Sequence, residues 1–190
     1  MKLIFNGHDY RYAVEQSLLA FFPTERPLYE GDDPNTATVT LTIDPSQRQA
    51  AAVTTLSVAN KTACGTSQID LPETEDVYER ERLLQRAVKL SFFQAARTLT
   101  GVTPAWGALT GIRPAKLAAG FLEEGKTPQL VDQILRDTYF VSNQRRRLCL
   151  ECAQAGLEAK QNLHPQEISL YVGIPFCPTR CAYCSFVSNS

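Results

Sequence analysis

Residues 36–70 read TATVTLTIDPSQRQAAAVTTLSVANKTACGTSQID, and the architecture turns on how this stretch folds. Ala37, Val39, Leu41 and Ile43 alternate with threonines and an aspartate. That period of two is the mark of a strand with one buried face. Residues 51–60 (AAVTTLSVAN) and 62–71 (TACGTSQIDL) read as two further strands, with Asn60-Lys61 as the hairpin turn between them. Cys64 falls inside the last of these strands and is expected in or near the core.

Working outward, the period changes on both sides. Upstream, KLIF at 2–5 reads as a short strand, followed by apolar residues at helical spacing, Tyr10, Val14, Leu18 and Phe21. Asp9 is the expected cap of that helix and Pro23 its stop. Downstream, a long helix is predicted over 75–100 on the stripe Val77, Leu84, Val88, Phe92, Ala95 and Leu99, with Gly101 ending it. Pro114 suits the first turn of a helix that closes at Gly125, and Thr127-Pro128 opens another. Ser142 can cap a third, running to about Lys160, and NLHPQE at 162–167 reads as a linker. No internal repeat or low-complexity tract interrupts the pattern. The expectation is an α+β region over 1–102, a helical segment and linker over 103–164, and a further element from 165 to 190.

Composition narrows the function classes. The chain has 190 residues, 44% apolar and 21% charged, as in ordinary globular proteins, and a net charge of −1. That charge offers no broad attraction for nucleic acid or anionic lipid. No apolar run is long enough to span a bilayer, and MKLIFNGHDYRY lacks the pattern of a secretory signal. The expected location is the cytoplasm, with no nucleic-acid or membrane partner. There thiols stay reduced, so six cysteines point to metal or redox chemistry rather than a disulfide framework.

Half of those cysteines are in the final stretch, ISLYVGIPFCPTRCAYCSFVSNS (168–190). Ile168, Leu170, Val172 and Ile174 would form the apolar face of a strand, with Ser169, Tyr171 and Gly173 on the other. Such a strand suits an α/β barrel, whose chemistry sits at the C-terminal ends of its strands. Cys177, Cys181 and Cys184 follow at spacing C-x3-C-x2-C. Three thiolates on one loop can hold a compact metal centre and leave one coordination position open. Pro175 and Pro178 restrict the loop, which lowers the entropic cost of gathering the ligands. Tyr183 and Phe186 offer bulk against water. An incomplete zinc site is the alternative reading of the same residues, which would make the chain a stand-alone interaction module with a zinc-binding tail.

This loop resembles that of the radical S-adenosylmethionine (SAM) superfamily. The resemblance implies a 4Fe–4S cluster on Cys177, Cys181 and Cys184, with SAM chelating the fourth iron. In that superfamily one electron from the cluster cleaves the sulfonium, and the resulting 5′-deoxyadenosyl radical abstracts hydrogen from substrate. YVGIPFCPTRCAYCSF (171–186) is similar to the oxygen-independent coproporphyrinogen III oxidase group. WGALTGIRPAKL (106–117) is similar to its HemZ-type branch, coproporphyrinogen dehydrogenase. The implied reaction is oxidative decarboxylation of two propionates of coproporphyrinogen III to the vinyl groups of protoporphyrinogen IX. The implied partners are a porphyrinogen substrate and a one-electron donor of flavodoxin or ferredoxin type. Tyr171 matches the family tyrosine beside cluster and SAM, in a catalytic and cofactor-binding place, and Tyr183 the aromatic whose backbone meets the adenine. The chain departs from the group's pattern at Gly173, where typical members carry histidine, and at Phe186, where they carry a further cysteine. Related members with a similar pattern are linked to haem handling. The whole is expected to be an α+β accessory region and a helical segment, then the first strand and cluster loop of a truncated barrel. Such a fragment is not expected to turn over alone, and a lone strand at 168–174 would lack its neighbours.

Other features have plainer readings beside the functional ones. Cys149 and Cys152 form a C-x-x-C, but inside a predicted helix, which favours buried thiols over a redox pair. His8 and His164 are a turn residue and a linker residue, too far apart in sequence for a histidine metal site. Arg145-Arg146-Arg147 suits a phosphate or propionate, and more simply a solvated helix face. GALTGIRPAKL lacks the Gly-Lys-Ser/Thr ending of a phosphate loop. Trp106 and Arg113 are expected to brace the accessory region against a barrel.

Overall fold

The computed structural model describes residues 1–73, 76–110, 113–164, 166–168 and 170–177. The chain divides into two compact units, Met1–Leu157 and Glu158–Ser190. The described elements are β1 (Lys2–Asn6), α1 (Arg11–Phe21), β2 (Thr36–Asp44), β3 (Gln49–Val58), β4 (Lys61–Asp70) and α2 (Val77–Thr100). These precede α3 (Pro114–Glu123), α4 (Pro128–Asp137) and α5 (Asn143–Gln161). The result is α+β. None of the described helices is long and apolar enough to cross a membrane.

The sheet runs β1-β2-β3-β4, with β1 parallel to β2 and the remaining pairs antiparallel. The period of two sorts its residues as the sequence predicts. Ala37, Val39 and Leu41 of β2 and Ala50, Ala52 and Leu56 of β3 face a core shared with Val14 and Leu18 of α1 and Leu84, Val88 and Phe92 of α2. Small residues set the distance of closest approach. A β-carbon at Gly65 of β4 would overlap the Ser91 carbonyl and the Ala95 amide of α2, so the helix lies directly on the strand. Thr54 and Ser91 meet in this layer through a buried hydroxyl–hydroxyl hydrogen bond of 2.7 Å. Ser91 also donates to the Val88 carbonyl at 2.9 Å, so neither polar side chain lacks a partner.

Several expectations are corrected in detail. The β3–β4 turn is Ala59-Asn60, one residue before the expected pair, and both have positive φ (48° and 64°). A two-residue hairpin needs left-handed backbone at both central positions to match the strand twist. Cys64 is exposed, because the alternation that buries Ala63 and Gly65 turns it to the open face of the sheet. Asp9 does not cap α1: its carboxylate accepts from Arg11 Nε at 2.7 Å, while His8 Nδ1 accepts the Tyr10 amide at 3.1 Å. Val77 starts α2 but is exposed, since the apolar stripe meets the sheet only from Leu84 onward. Asp76 supplies that helix's cap through the Tyr78 amide, and Gly101 closes it at φ 70°.

α3, α4 and α5 enclose a second core of Val131, Leu135, Tyr139, Val141, Cys149 and Ala153. A third cluster of Leu90, Phe93 and Ala108 shares Phe21 with the first core, and its Phe93 stacks on Phe140 with ring centroids 5.1 Å apart. In the second unit, Ile168 and residues 170–175 form no strand. Their apolar side chains are exposed. A one-sided apolar pattern specifies a face; a strand also needs a hydrogen-bonded neighbour, and none is described for these residues.

Candidate functional site

The residues singled out for cofactor chemistry are Tyr171, Cys177, Cys181, Tyr183 and Cys184. The last three lie outside the described residues. Cys177 is a free, exposed thiol. Tyr171 is 91% exposed, so its ring is available to a neighbour rather than committed to a core. The backbone folds this ring beside Gly173: a β-carbon there would stand 3.2 Å from Tyr171 Cε1. The absence of a side chain at 173 therefore leaves room for the tyrosine. Among the described residues, no group of three or more histidine, cysteine or acidic side chains converges on one point.

The segment Trp106–Thr110 is placed by backbone demands. Gly107 has φ 57°, and a β-carbon on it would overlap the Tyr139 carbonyl. That carbonyl accepts the Ala108 amide at 2.8 Å, and the Ser142 amide donates to Ala105 at 3.0 Å. Trp106 packs on the second core and lies under the Arg145 guanidinium, 5.5 Å from the ring centroid. Trp106 thus braces α5 within its own unit. Arg113 is exposed at the residue before α3.

The arginine run is already engaged. Arg145 covers Trp106, Arg146 pairs with Asp132 at 2.8 Å and reaches the Val141 carbonyl at 2.9 Å, and Arg147 pairs with Glu151. The C-x-x-C pair splits by helical position. Cys149 is buried, and burial, with a smaller contribution from Cys152, pushes its thiol up to about 11. Cys152 is exposed, contrary to the expectation of two buried thiols: the buried stripe of α5 runs through Cys149 and Ala153, and Cys152 lies about 100° round the helix from Ala153, at the stripe's edge. A thiol raised in this way is a poor nucleophile and metal ligand at neutral pH.

A cleft of about 380 Å³, not anticipated from the sequence, lies between α2 and the Leu109–Thr110 segment. Arg82, Arg86 and Lys89 line it from α2. The signal was present as basic residues spaced four and three apart, which share one helix face. Such spacing is common on solvated helices, and only the opposing segment makes it a cleft.

Over 115 residues, 58% of this chain, the sequence is 36% identical to the oxygen-independent coproporphyrinogen-III oxidase-like protein HemZ of Bacillus subtilis (strain 168). The match covers 23% of that protein, so the chain spans under a quarter of its curated relative. The matched stretch is longer than residues 103–190, so it takes in part of 1–102. No family model matches the chain, and no solved structure matches it.

Proposed function

We propose that this chain forms the accessory region and cluster-bearing loop of a radical SAM oxidoreductase of porphyrin synthesis, one that decarboxylates coproporphyrinogen III without oxygen. The observation that carries the reading is C-x3-C-x2-C directly after YVGIPF, in a chain 36% identical to the HemZ-like protein over 115 residues. Cys177, Cys181 and Cys184 would hold a 4Fe–4S cluster, and Tyr171 and Tyr183 would flank SAM. The donor set suits the group: three thiolates close one face of a cluster and leave one iron for a small molecule. The exposed thiol of Cys177 is in keeping with such a ligand. When bound, the cluster and SAM supply a one-electron cleavage that generates a hydrogen-abstracting radical.

The chain's own residues orient and shield. Pro175 and Pro178 would limit the loop's conformations, and Tyr183 and Phe186 would supply apolar bulk against water. Residues 165–190 would begin a barrel, and the substrate would be bound by barrel strands beyond this sequence. Turnover would need a complete barrel, with a flavodoxin or ferredoxin as electron donor and the cytoplasm as its setting.

Gly173 and Phe186, where oxidases of the group carry histidine and cysteine, favour a second reading, a haem-binding or haem-delivery protein on the same fold. One experiment separates the two. The polypeptide extended through a complete barrel is reconstituted anaerobically, reduced, and given SAM with coproporphyrinogen III, and in parallel haem. Protoporphyrinogen formation together with 5′-deoxyadenosine supports the oxidase. A stable Soret band without porphyrinogen consumption supports haem delivery and overturns it.

A further inference from the structure

Three polar groups without a carboxylate partner converge on the cleft beside α2. Lys89 is partly buried there, and its Nζ donates to the Thr110 carbonyl at 2.8 Å. Arg86 Nε and Thr110 Oγ1 are shielded from solvent and have no hydrogen-bond partner. Among the described residues no ion pair is formed by Arg86 or Lys89. The acidic residues on the wall, Glu79 and Glu124, are exposed, and Glu124 is taken by Lys126. Burial lowers the Lys89 ammonium from its ordinary range, the signature of a cation missing a counter-charge. A buried donor without a partner is destabilising, more so when charged, so an anion here would relieve an existing penalty.

The remaining wall is apolar. Leu83 and Leu90 from α2, Leu109, Leu117 from α3 and Tyr139 face the same space. A bare inorganic anion would satisfy the cations and leave the leucines wet. A hydrocarbon body would cover them, and a planar carboxylate matches a guanidinium with a neighbouring hydroxyl.

We propose that this cleft is a binding site for a small apolar carboxylate. Its head group takes the Arg86 guanidinium, the Lys89 ammonium and the Thr110 hydroxyl, and its hydrocarbon body lies on Leu83, Leu90 and Leu117. The site is built wholly within Met1–Leu157 and needs none of the C-terminal cysteines. Its fate is independent of the cluster assignment.

The test is calorimetric titration of the whole 190-residue chain with three probes: 1-naphthoate, 1-naphthalenemethanol and inorganic phosphate. The expected result is one naphthoate per chain, with both other probes weaker by about tenfold or more. Arg86→Gln and Lys89→Met are each expected to weaken naphthoate by about tenfold with circular dichroism unchanged. Should Lys89→Met fail to fold, Arg86→Gln decides alone, since its side chain is only partly buried. The chain with Cys177→Ser, Cys181→Ser and Cys184→Ser is expected to bind naphthoate like the parent. No binding at millimolar naphthoate, binding indifferent to Arg86→Gln, or equal affinity for the alcohol would overturn the site. Phosphate binding as tightly as naphthoate would overturn the ligand class.

Discussion

At the scale of single residues, the fold rests on places where a side chain is missing or paired. Gly65 lets α2 lie on β4 in contact with its backbone. Gly65→Ala is expected to cost about 1–3 kcal/mol by overpacking, read as a lower urea midpoint. Ser91→Ala leaves the Thr54 hydroxyl buried without its partner and is expected to cost about 1–3 kcal/mol. Combining it with Thr54→Val should recover most of that loss, since both polar groups are then gone. Cys149 gives a pH test. Burial raises its thiol from 9.0 to about 11, so the folded state keeps it protonated where the unfolded state has lost the proton. Its stabilising contribution is complete below about pH 9 and falls as pH rises toward 11. The stability difference between the protein and Cys149→Ala should therefore shrink between about pH 8 and pH 10.5; a constant difference contradicts the raised thiol. The burial of Cys149 was legible from its helical neighbours. The exposure of Cys64 was legible in principle, because it sits one residue from Ala63 in an alternating strand, but a cysteine's preference for cores outweighed the parity.

At the scale of elements, the sequence carried existence and type well and ends less well. β2, α1 and α2 follow apolar periods visible in the chain, whereas α3, α4 and α5 were marked by their prolines, Gly125 and capping residues. Ends depend on single hydrogen bonds. Asp9 has the right chemistry for a cap, yet the neighbouring Arg11 takes its carboxylate. Asp76 does cap α2 and is flanked by no expectation in the sequence reading. Asp76→Ala is expected to cost about 1 kcal/mol, measured by thermal or urea unfolding, whereas Asp9→Ala should leave stability within about 0.5 kcal/mol of the parent. The strand at 168–174 shows the other limit of periodicity. Val172 and Ile174 mark a face, but the partner that makes a strand is not a property of the segment. For the same reason the cationic cleft was invisible: its α2 wall is written in Arg82, Arg86 and Lys89, while the opposite wall comes from a segment held by Gly107 and Tyr139.

At the scale of the whole molecule, a sheet-and-helix region is joined through Phe93 and Phe140 to a three-helix core, and the chain continues into a loop rich in thiols. The ligand spacing of Cys177, Cys181 and Cys184 is read from the sequence alone, and the last two lie outside the described residues. The central claim, that Cys177, Cys181 and Cys184 hold a 4Fe–4S cluster, is tested most directly by counting. The chain is reconstituted anaerobically with iron and sulfide, desalted, and assayed for iron, acid-labile sulfide and zinc, beside Cys181→Ala. Iron and sulfide are expected in equal amounts, close to four of each per chain as the 4Fe–4S assignment requires, and to be lost in the variant. Stoichiometric zinc without sulfide, or iron retained equally by Cys181→Ala, would contradict it.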